Sequence, residues 1–104
     1  MANDISTPAP PEPRGSAALT AQARYEACAW AIVRRQARDQ PAPAAEQAAT
    51  AAEAQCQAER TELRTMLLFE YRLQKDHAAF ADRQVAITRG RLIEALSRHL
   101  QSPS

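Results

Sequence analysis

At 104 residues the chain has room for one domain with a modest core and not for two. Its formal charge of +1 gives no long-range attraction to nucleic acid or an anionic membrane, so either would need a local patch. Alanine is the commonest residue, arginine far outnumbers lysine, and Val, Ile and the aromatics are few. That mixture disfavours strands and favours helices, so the predicted fold class is all-α.

Residues 1–15 carry Pro8, Pro10, Pro11 and Pro13, which remove backbone donors and push their predecessors toward extended conformations. The segment reads as a disordered tail, a linker rather than a ligand for an aromatic groove. It has no hydrophobic stretch of the secretory kind, so the chain as written reads as cytoplasmic, or as exported if it is a processed mature form.

A single helical domain is expected over 16–101. With Ser16 as N-cap, helix one runs over 17–40, where Leu19, Tyr25, Cys28, Ala29, Ile32 and Val33 follow the three-and-four spacing of one face. Pro41 stops it, and Pro43 suits the first turn of a second helix with Glu46 near its positive end. The turn is therefore placed at 41–43.

From Ala44 to Arg89 there is neither Gly nor Pro. One heptad-like register passes through Ala45, Ala49, Ala52, Cys56, Glu59, Leu63, Met66, Glu70, Leu73, His77, Phe80, Gln84 and Ile87. Unbroken over 44–100, this helix would be about 57 residues or roughly 85 Å long, against about 36 Å for helix one. The expected architecture is an antiparallel helical hairpin with a long, coiled-coil-like second helix whose distal half seeks a partner. The alternative is a three-helix bundle in which the chain folds back near Asp76, with Asp76 capping the third helix.

Cys28 and Cys56 lie symmetrically about Ala42, the residue between the two turn prolines. Residues equidistant from an antiparallel turn sit at equal height, so the thiols should face each other across an alanine-rich interface suited to a disulfide. The same reasoning pairs Tyr25 with Glu59, Ile32 with Ala52 and Gln36 with Ala48.

No catalytic or cofactor-binding residue is predicted. The chain has no Gly-rich phosphate loop, no serine elbow, no Cys-x-x-Cys pair and no evident small-molecule site. Nor is a metal site expected, because His77 would stand about 31 Å beyond Cys56 on a straight helix. The apolar cluster around Met66, Leu67, Leu68, Phe69, Tyr71 and Leu73 spreads over too wide an arc for one neighbour. The leading expectation is a non-enzymatic protein–protein interaction or assembly module, with self-association as a homodimer or a protein partner docking on Leu63, Met66, Leu67, Phe69, Tyr71, Leu73, Phe80, Ile87, Leu92 and Leu96. Polar seam residues Glu59, Glu70, His77 and Gln84 would then set register, or else lie exposed. The alternative is a small nucleic-acid-associated protein using Arg34, Arg35, Arg38, Arg89, Arg91 and Arg98, although interleaved acids dilute both clusters and neither has an adjacent aromatic for stacking.

Overall fold

The structure, a computed structural model, describes residues 9–39 and 45–101, without the side chains of 37–39. The expected turn at 41–43, the tail up to Pro8 and the Arg38 side chain lie outside the described residues. Four helices follow in order: α1 (Ser16–Asp39), α2 (Ala45–Ala54), α3 (Gln57–Glu70) and α4 (His77–Gln101). The all-α class holds, and the single long second helix does not. It is interrupted twice, and the longest molecular extent is 47 Å, about half of what an unbroken rod would require.

The first interruption falls at Gln55 and Cys56. The Gln55 N–H reaches the Ala52 carbonyl and the Cys56 N–H the Glu53 carbonyl, i to i−3 bonds that tighten the helix before Arg60 resumes the regular pattern on Cys56. No Gly or Pro causes this break. It lies between two side chains gripped by other helices, Glu53 and Cys56. The second interruption is the turn over residues 71–76. Arg72 N–H returns to the Phe69 carbonyl, Gln74 to Tyr71 and His77 to Gln74, and the Arg72 guanidinium adds a bond of 2.9 Å to the Phe69 carbonyl. A cation meeting the orphan carbonyls of a helix end is favourable there. The chain thus turns back next to Asp76, where the three-helix alternative puts it, but with four helices rather than three.

α4 packs along both α2 and α3, and α1 contacts all of the others. One face of each helix supplies the interior: Ala18, Ala21, Tyr25, Ala29, Ile32 and Val33 from α1, Ala49 and Ala52 from α2, Leu63 and Leu67 from α3, and Phe80, Ala81, Leu92 and Leu96 from α4. Leu19, placed on the inner face by spacing, is 45% exposed, because Ala18 and Ala21 take the interior positions. Two edge-to-face aromatic contacts join helices, Tyr71 with Phe80 across the turn and Trp30 with His99 between α1 and the end of α4.

Residues 9–15 form an extended strap rather than a free tail. Pro10 and Pro13 are buried, the Tyr71 hydroxyl donates to the Pro11 carbonyl, and Glu12 lies 3.9 Å from Arg91. The Glu70 carboxylate accepts the N–H groups of Arg14 (2.9 Å) and Gly15 (3.0 Å), so a distant residue caps the start of α1. A Cβ on Gly15 would stand 2.5 Å from Glu70 Oε1, so a larger residue here would have to displace that carboxylate.

Candidate interaction surface and the buried carboxylate

Packing of α1, α3 and α4 against one another covers most of the face expected to receive a partner. Leu63, Leu67, Tyr71, Phe80, Leu92 and Leu96 are buried inside the chain, and Met66 and Ile87 are half-buried. The need for a second copy to shelter residues 63–100 therefore falls away, since the fold-back at 71–76 supplies the shelter intramolecularly. Of the ten candidates, Phe69 (58% exposed) and Leu73 (90% exposed) remain open to solvent.

These two share one end of the bundle with Leu19. Phe69 closes α3, Leu73 sits on the turn, and Leu19 is one helical turn past Gly15, whose N–H is held by Glu70 beside Phe69. The Arg72 guanidinium stacks 4.2 Å from the centre of the Phe69 ring. A shallow groove on the outer face of α1, lined by Leu19, Thr20, Ala23, Arg24 and Ala27, continues from this end. The only large hydrophobic side chains exposed among the described residues are thus gathered at one pole.

The polar seam residues separate in the same way. His77 is exposed, Glu59 and Glu70 are half-buried, and only Gln84 lies inside, with its amide 3.4 Å from the Thr88 hydroxyl. Among the described residues the buried carboxylate is Glu53, which no motif or spacing singles out. Fully buried, its carboxylate accepts the Tyr25 hydroxyl at 2.7 Å, the Arg89 Nε at 3.0 Å and the Arg60 guanidinium. The four residues come from α1, α2, α3 and α4. Burial works against ionisation of Glu53, but the three donors outweigh it and hold its carboxyl below the usual carboxylate range. Burial first, and then Glu53, push the Tyr25 phenol well above its ordinary value. The Tyr25 hydroxyl thus bonds Glu53, not Glu59, the residue that height matching sets opposite it.

Cys28 and Cys56 do face each other, at disulfide distance, with Cα atoms 6.1 Å apart. The arginines divide. Arg89 is engaged with Glu53, Arg91 lies 3.9 Å from Glu12 and Arg98 3.0 Å from Glu94, which neutralises half of the set considered for nucleic acid. Arg34 and Arg35 are exposed on α1 and make no ion pair with a described carboxylate. Among the described residues no helix is long and apolar enough to cross a membrane. Comparison of the chain with protein-family models, curated proteins and solved structures found no match.

Proposed function

We propose that the chain is a non-enzymatic protein–protein interaction module that docks through the pole formed by Leu19, Phe69 and Leu73. The observation carrying this reading is that the large exposed apolar side chains among the described residues are Leu19, Phe69 and Leu73, at the end of the bundle where Glu70 holds Gly15, while the other large apolar side chains are buried or half-buried. Leu73 at 90% exposure buries almost none of its side chain in the fold, and an apolar residue held on a tight turn between two packed helices is positioned to insert into a partner. Phe69 with Arg72 stacked over it adds the aromatic and arginine pair common at interface centres. The Arg24 to Glu62 ion pair beside the α1 groove supplies a polar rim.

The test compares the native chain with a double variant, Phe69→Ser with Leu73→Ser, by light-scattering mass and by cross-linking in its host at low and high salt. A complex, with itself or another protein, that survives high salt in the native chain and is lost in the double variant supports the reading. A chain that stays alone at every concentration, or an association unchanged by the two substitutions, contradicts it. Salt-sensitive retention on duplex DNA, lost on changing Arg34 and Arg35 to Ala, would favour the nucleic-acid alternative instead.

A further inference from the structure

We propose that the reduced Cys28 and Cys56 thiols, together with the Glu59 carboxylate, form a binding site for a zinc-class divalent cation. In this structure the two sulfurs are bonded to each other, and one donor atom from each of the three residues lies within 4.8 Å of the other two. The sequence places this trio well. Cys56 is the N-cap of α3, and Glu59 is three residues on, which puts both on one helical face, while α1 brings Cys28 to meet them. His77, the third ligand considered from sequence, is not required.

The donor set decides the class of cation. Two sulfurs and one oxygen suit borderline and soft ions such as Zn²⁺ and Cd²⁺, whereas Ca²⁺ and Mg²⁺ take oxygen shells. Three protein ligands leave a fourth position to water, the arrangement of an open zinc site. Cys56 is buried while Cys28 and Glu59 are half-buried, so the entry path lies on the Cys28 and Glu59 side. Glu59 is half-buried beside the two sulfurs and makes no hydrogen bond or ion pair with another described residue.

The same geometry makes the site redox-gated. While the sulfurs are joined to each other, neither is a thiolate and the trio cannot bind a cation. A thiol reductant attacks Cys28 Sγ, the accessible sulfur, and the S–S bond breaks with Cys56 leaving as thiolate at the N-terminus of α3, where the helix dipole favours an anion. A second reductant thiol then attacks the mixed disulfide. Cys28 is released as a thiol and the reductant leaves as its own disulfide, so two electrons pass to the protein sulfurs. Binding of a cation is coupled to thiol deprotonation, because only the thiolate is a ligand. A divalent cation displaces one proton from each thiol that begins protonated.

The experiment uses the full chain, reduced anaerobically with a phosphine and titrated with Cd²⁺, then with Zn²⁺ as competitor. Sulfur-to-cadmium charge-transfer absorbance and far-ultraviolet circular dichroism are recorded together. The expected result is one cation per chain for the reduced protein and none for the oxidised. Cys28→Ser should abolish binding, and Glu59→Gln should weaken it by about tenfold or more, while Glu46→Gln, at an exposed position of α2, leaves it unchanged. Should reduction loosen the bundle, the dichroism must recover on adding one equivalent of cation. Binding equally tight in Glu59→Gln, one cation shared between two chains, or no binding by the reduced chain would each overturn the proposal.

Discussion

Glu53 ties four helices together, and its contribution is open to measurement. Its carboxylate is the common acceptor for Tyr25, Arg60 and Arg89. Glu53→Gln removes the charge that all three donors are arranged around and should cost about 3 kcal/mol in urea unfolding, the lower end for a broken buried pair because both arginines reach water. Because folding holds this carboxyl below its ordinary value, its stabilisation is complete above the unfolded pKa and is lost as pH falls through the folded one. The unfolding midpoint of the native chain should therefore decline below about pH 4.3, the ordinary glutamate value, and the decline should be shallower in Glu53→Gln. Equal slopes in the two proteins would show that Glu53 is not the titrating group. The residue was hidden in the sequence because it sits one position off the apolar register, next to Ala52, among alanines that mark a close helix contact and say nothing about charge.

At the scale of elements, the decisive feature is where α2, α3 and α4 are separated. The end of α1 at Asp39 and the facing of Cys28 and Cys56 follow from local rules, since prolines punctuate helices and equal distance from a turn means equal height. The break at Gln55 and Cys56 has no such local signature. Tertiary links from Cys28, Tyr25 and Arg89 surround it, and a reading of propensity along one chain has no access to them. The turn at 71–76 is built without glycine, from i to i−3 bonds and an arginine cap, so the absence of a breaker was a poor guide there. Two measurements follow. Leu67→Ala should cost about 2–5 kcal/mol as a buried truncation, whereas Leu73→Ala should stay within about 0.5 kcal/mol. In an oxidised chain, reducing the Cys28–Cys56 bond, which spans 28 residues, should lower stability by about 3 to 4 kcal/mol if loop closure governs it. A loss well below this would mean that the close packing of α1 on the broken rod carries the hairpin without the bond.

For the whole molecule, the fold-back of α4 changes which surface is left for partners. A straight second helix would leave an apolar stripe along residues 63–100, whereas the bundle leaves a single pole at Leu19, Phe69 and Leu73. The apolar composition around Met66 to Leu73 was a correct sign that more than one neighbour was needed. It could not show that the neighbours belong to the same chain, because that depends on the turn. Small-angle X-ray scattering of the oxidised monomer tests this most directly. The account predicts a radius of gyration close to the 15.3 Å of the Cα trace, allowing for hydration and the chain termini. A value near 25 Å, that of an unbroken rod of about 85 Å, would contradict the fold-back and return the distal helix to an external partner.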